Sequence, residues 1–184
     1  DYIDLLLIHQ PYGDYYGTYR AMEDALKAGK VRAIGVSNFQ AGRFIDLALH
    51  TDIKPAINQL QCNVQVQQTG IRHCLSDYDT KMMAWGPLGG QGTSGITDNA
   101  LLMQVGEKYK KTAAQVALRW LTQQSIVAIP KSTHIERMKQ NLDVFDFRLT
   151  DDEMMQIATL DRHDAGTVNF NDPQFIKHLI ETYG

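Results

Sequence analysis

The chain has 184 residues, 43% hydrophobic and 21% charged, with a formal net charge of −3. Such a composition is that of one ordinary globular domain. It carries no basic excess to draw nucleic acid or an anionic membrane, no apolar run long enough to span a bilayer, and no secretory signal pattern. Two cysteines, Cys62 and Cys74, lack metal-ligand or redox spacing and read as reduced packing residues, so a cytoplasmic protein is expected.

In chain order, short apolar runs alternate with helical patterns. The first is Ile3 to Ile8, ending on His9 with Pro11 just beyond. The helical stretch "TYRAMEDALKAGK" follows and closes on Gly29 with Lys27 and Lys30 beside it, as a helix C-terminus prefers. Next come a run from Val31 to Val36, the helix "QAGRFIDLALH", a run from Ala56 to Leu60, and the helix "QTGIRHCLSDYD". The fourth run, Lys81 to Trp85, is followed by "DNALLMQVGEKYKK" and "TAAQVALRWLTQQ", and the fifth is Ile126 to Ile129. Three capping-box pairs mark helix starts: Thr112 with Gln115, Thr133 with Glu136, and Thr150 with Glu153.

Run starts near residues 3, 31, 56 and 81 lie 28, 25 and 25 residues apart, the spacing of consecutive strand–helix units. Continuously apolar strands joined by helices imply a parallel sheet with right-handed crossovers. Pattern alone leaves two architectures open, a doubly wound sheet or part of a (β/α)₈ barrel. No Gly-rich phosphate loop follows any strand, so the usual doubly wound nucleotide site is missing. A full barrel takes about 250 residues, more than this chain supplies.

In a barrel, chemistry gathers at the C-terminal ends of the strands. There the sequence places His9, then Ser37 and Asn38, then Gln59, then Trp85, Gly86 and Leu88, then Lys131, Ser132 and Thr133. Arg137 follows one turn into the next helix, with Gln140 and Asn141 on its face at i+3 and i+4. Free N–H groups, an ammonium and a guanidinium suit a phosphate, and a ring on a rigid strand end suits a flat heterocycle. Taken singly, these residues also fit structural roles: a satisfied strand-end histidine, a Ser-Asn turn, a core-lining tryptophan, a solvated helix face. The other histidines show no metal-binding spacing.

The segments "DYIDLLLIHQP", "GKVRAIGVSNF", "KPAINQLQCNV", "AWGPLGGQG" and "IVAIPKSTHIERMKQN", with the tail "LDRHDAGTVNFNDPQFIKHL", resemble successive blocks of the aldo-keto reductases. The likeness is strongest to the bacterial branch that includes diketogluconate reductases, and it covers essentially the whole chain as one domain, residues 1–184. The resemblance implies an α/β fold of the parallel (β/α)₈ TIM-barrel type, incomplete, with about five strand–helix units present. It implies NADPH as cofactor and reduction of a small-molecule aldehyde or ketone to an alcohol. His9 matches the histidine that bonds the substrate carbonyl. Ser37, Asn38 and Gln59 match the holders of the nicotinamide carboxamide, Trp85 the stacking aromatic, and Gly86 and Leu88 the pyrophosphate path. Lys131, Ser132, Thr133 and Arg137 match the 2′-phosphate grip, and Gln140 and Asn141 the adenine contacts.

Three departures accompany the likeness. Gln10 replaces a bulky aromatic, and Gln61, Asn63 and Val64 stand where an acid and His-Pro are common, so the third loop is expected to be rearranged. The chain also begins at what resembles the family's fourth strand, and no tyrosine, aspartate or lysine of the proton-donor set has a matching block. The expectation is a C-terminal portion of such an enzyme, inactive by itself, with open barrel edges that favour association although the family is usually monomeric. The alternative is a dinucleotide-binding or regulatory module without catalysis.

Overall fold

The computed structural model describes residues 1–90, 94–163 and 168–183. The five apolar runs form strands β1 (Leu6–Ile8), β2 (Ile34–Ser37), β3 (Ile57–Gln61), β4 (Lys81–Trp85) and β5 (Val127–Ala128). Helices α1 (Tyr15–Lys27), α2 (Ala41–Leu49) and α3 (Thr69–Ser76) connect the first four strands, and α4 (Ala100–Tyr109) and α5 (Ala113–Gln123) connect the last pair. Beyond β5 lie α6 (Ile135–Leu142), α7 (Asp151–Ala158) and α8 (Pro173–Tyr183).

The strands are shorter than the apolar runs that announce them. Ile3 makes only an isolated bridge to Val31, and between that bridge and β1 Asp4 turns out to pair with Arg32 at 3.0 Å. Every strand pair is parallel and the sheet order is β1-β2-β3-β4-β5. That order settles the architecture. A doubly wound sheet reverses its strand order at a switch point, whereas a barrel wall adds each strand beside the last. This chain is five consecutive units of the barrel plan.

Register follows from one close approach. Gly35 sits opposite Leu7 and Ile57, and a Cβ there would lie 2.5 Å from the Ile57 carbonyl oxygen and 2.8 Å from Leu7 Cδ2. No other residue fits that position. Burial is deepest at the middle of the arc: every residue of β2 is buried, and Val36, Leu60 and Ala84 are at most 1% exposed. Helix α5 closes the core with Val116, Leu118, Trp120 and Leu121, each apolar side chain worth about 1.5–3 kcal/mol when fully buried.

Capping boxes form at Thr112 with Gln115 and at Thr150 with Glu153. The third does not. Ser132 Oγ accepts the His134 N–H at 3.1 Å, which carries the chain past Thr133 and makes His134 the N-cap of α6. Glu136 instead pairs with Lys139 at 2.8 Å. Thr133 therefore lies just outside the helix, and Arg137 becomes its third residue. Helix α6 buries none of its residues and leaves Ile135, Met138 and Leu142 exposed beside the β5 edge. Among the described residues, no helix is long and apolar enough to cross a membrane.

Candidate active site

Parallel register brings the C-terminal ends of all five strands to one rim. Ser37 is level with Gln59, Gln59 with Met83, Gln61 with Trp85, and Ala84 with Ala128. His9, Ser37, Asn38, Gln59, Trp85, Gly86, Leu88 and Lys131 thus emerge on the same side, as the barrel rule requires of a ligand site.

The rim divides into two zones. In the first, Asn38 ties three strand ends together. Its Nδ2 donates to the His9 carbonyl at 3.2 Å and to Gln10 Oε1 at 3.4 Å, while its Oδ1 accepts from Trp85 Nε1 at 2.9 Å. Its backbone N–H donates to the Gln59 carbonyl at 2.9 Å, with φ at +63°. Asparagine tolerates this left-handed backbone better than other branched or bulky residues. Ser37 Oγ donates to the same Gln59 carbonyl at 3.0 Å. Both side chains are buried and already hydrogen-bonded within the protein, so a ligand amide would have to exchange with these bonds. Gln59 is freer: among the described residues its Nε2 meets only the weak acceptor Met83 Sδ at 3.2 Å. His9 is exposed, and among the described residues its ring has no hydrogen-bond partner.

Gly86 links the zones. Its φ of +60° starts a tight turn closed by Gly89 N donating to Gly86 O at 3.1 Å, and a Cβ there would crowd Gly89 O at 3.3 Å. Asn63 Nδ2 donates to the same Gly86 carbonyl at 3.0 Å. Meanwhile Asn63 Oδ1 accepts from Gln65 N and Val66 N and folds the third loop back on itself. The third loop is therefore organised by Asn63, a role the sequence reading left unassigned. The Gln91 and Gly92 of the fourth segment, and residues 164–167 of the tail, lie outside the described residues.

The second zone is a cleft of about 640 Å³. It gathers Leu88, Lys131, Ser132, Thr133, Arg137, Gln140 and Asn141, seven of the residues picked from the sequence. Arg137, Gln140 and Asn141 share the helix face their spacing predicts. Among the described residues no hydrogen bond or ion pair engages the side chains of Lys131 or Arg137. Two cations without such partners beside a helix N-terminus have the chemistry that suits an anionic phosphate. Sequence reasoning missed Thr97, Asp98, Thr112, Ala114 and His134, which complete the lining. Thr112 and His134 cap α5 and α6, a role that hides any ligand signal, whereas Thr97 and Asp98 lie on the connection into α4 and Ala114 in the first turn of α5.

Three tyrosines after β1, Tyr12, Tyr16 and Tyr19, are held more firmly protonated than a free phenol. Tyr16 donates to the Asp46 carboxylate, and that bond, with burial and Tyr15, raises its hydroxyl pKa well above the ordinary value. Burial raises Tyr19, whose side chain is fully enclosed, and the neighbouring Glu23 adds to it. Tyr12 is raised by burial despite Arg43, and its hydroxyl donates to the Phe170 carbonyl at 2.7 Å.

Fold and rim together define an α/β protein of the (β/α)₈-barrel type whose strand ends pair a polar clasp with a cationic cleft. The chain belongs to the aldo/keto reductase family, whose family model matches residues 1–162. It is 42% identical over 163 residues to glyoxal reductase of Bacillus subtilis, covering 88% of this chain and 58% of that protein. It is 36% identical over 165 residues to a methylglyoxal reductase of Escherichia coli, covering 88% and 60%. Among solved structures, an aldo-keto reductase from a Medee basin deep-sea metagenome library superposes with a TM-score of 0.88 at 36% identity, covering 94% of this chain and 64% of that one. A Bombyx mori aldo-keto reductase in complex with NADP gives 0.83 at 33% identity, covering 96% and 62%. The chain thus spans less than two thirds of the length of these relatives.

Proposed function

We propose that this chain supplies the cofactor-facing strand ends of an NADPH-dependent reductase of small aldehydes and ketones, and corresponds to the later strand–helix units of the diketogluconate-reductase-like branch. The observation that carries this reading is the cleft where Lys131 and Arg137 stand unpaired beside Ser132, Thr133, Gln140 and Asn141. The relatives named for glyoxal and methylglyoxal reduction, and the neighbour solved with NADP, support the same reading.

In this proposal Lys131 and Arg137 hold the 2′-phosphate of the adenosine, with Ser132 and Thr133 donating hydrogen bonds and Gln140 and Asn141 facing the adenine. Gly86 and Leu88 leave room for the pyrophosphate, Trp85 packs on the nicotinamide, and Gln59 exchanges its weak sulfur contact for the carboxamide. Ser37 and Asn38 join by exchange, or hold the strand ends for it. When bound, the reduced dinucleotide supplies the hydride. His9 orients the substrate carbonyl by a hydrogen bond to its oxygen.

These residues do not include a competent proton donor. A positioned donor contributes typically 10²–10⁴-fold, and the raised hydroxyls of Tyr12, Tyr16 and Tyr19 are poor candidates. We therefore propose that these 184 residues by themselves bind the dinucleotide without turnover. The thiols fit a reducing, cytoplasmic setting: Cys62 is buried and pushed up to about 12 by that burial, and neither cysteine is bridged. Mixing the chain with NADPH and glyoxal tests the reading. Saturable NADPH binding with no loss of absorbance from the reduced cofactor is expected. Rapid oxidation of NADPH would contradict the assignment of the proton donor outside these residues.

A further inference from the structure

The cleft has a second wall of opposite charge. Asp98 is the sole carboxylate among the described residues that line it, on the connection leading into α4, while Lys131 and Arg137 come from the far side of β5 in sequence. Asp98 is exposed, and among the described residues no hydrogen bond or ion pair engages its side chain. It is not the cap of α4 either. That task belongs to Asn99, whose side chain accepts from Leu102 N at 3.1 Å. Apart from its place just before the N-terminus of α4, nothing among the described residues engages this carboxylate in a cleft that also holds two cations without partners.

We infer that Asp98 sets the dinucleotide selectivity of this cleft. The inference rests on the dinucleotide reading above and deepens it. A cleft of about 640 Å³ keeps its charged walls within roughly one Debye length of any occupant at physiological salt, so solvent ions screen them only in part. A doubly charged phosphate on the ribose is attracted by Lys131 and Arg137 and repelled by Asp98. A ribose that bears only hydroxyls loses little to the cations and gains Asp98 as a hydrogen-bond acceptor. The carboxylate thus narrows the preference for NADPH over NADH that the cations create, and makes the site tolerant of both.

Titration of the whole chain with NADPH and with NADH, for the wild type and for Asp98→Asn, tests this directly. The variant keeps shape and removes charge, and Asp98→Ser serves as a second variant, with thermal unfolding checking that both are folded. The expected result is NADPH binding tightened by roughly three- to tenfold and NADH binding unchanged or weakened, an effect that shrinks on raising the salt. An unchanged NADPH-to-NADH ratio in both variants overturns the role of Asp98 while leaving the dinucleotide site standing. Absence of saturable binding of either nucleotide to the wild type overturns the site and this inference together.

Discussion

Asn38 shows what a single residue does at this rim. Its side chain reaches His9 and Gln10 on one side and Trp85 on the other, and its backbone takes a left-handed φ to do so. Asn38→Ala removes these bonds and puts a methyl side chain into an unfavourable backbone region. The loss is expected to be about 2–4 kcal/mol, seen as a lower urea midpoint with the slope unchanged. A midpoint within experimental error of wild type would show that the clasp carries no stability. The sequence reveals that Ser37 and Asn38 end a strand and fit a turn or a ligand. It does not reveal the clasp, because the partners lie 29 and 47 positions away and meet Asn38 only once the strands are in register.

Among the elements, α7 is fixed by electrostatics as much as by packing. Burial raises the Glu153 carboxyl, but donation from Lys108, Tyr109 and Thr150 outweighs it and holds the group down at about 2. A carboxyl held below its unfolded value stabilises the fold fully above that value, about 4.3, and the contribution is lost as pH falls toward about 2. Urea unfolding of the wild type from pH 6 to pH 2.5 should therefore show a decline that Glu153→Gln flattens, with the variant weaker by about 1–3 kcal/mol at neutral pH. Parallel pH curves for the two proteins would contradict the assignment. The start of α7 was legible because Thr150 and Glu153 are close neighbours in sequence. The start of α6 was not, because Ser132 Oγ captures the His134 N–H before Thr133 can cap.

At the scale of the whole molecule, the strand–helix spacing made the parallel sheet legible, but barrel and doubly wound plans share that spacing. Only the pairing order separates them. The same order leaves β1 and β5 at the two ends of the sheet, with Tyr2 and Ile3 exposed near one and Val127, Ile129, Ile135, Met138, Leu142 and Phe145 near the other. Unpaired strand edges flanked by apolar side chains favour pairing with another polypeptide. Sedimentation of the 184-residue chain is expected to show association that increases with concentration. A monomer at every concentration would remove that expectation.

The cationic cleft is the feature on which the functional account turns, and NADPH affinity measures it most directly. Quenching of tryptophan fluorescence should report saturable binding to the wild type. Lys131→Ala should weaken that binding by roughly tenfold or more, since a charge-assisted bond to phosphate is worth about 1.5–3 kcal/mol, while NADH binding changes far less. Equal NADPH affinity for wild type and Lys131→Ala would contradict the account.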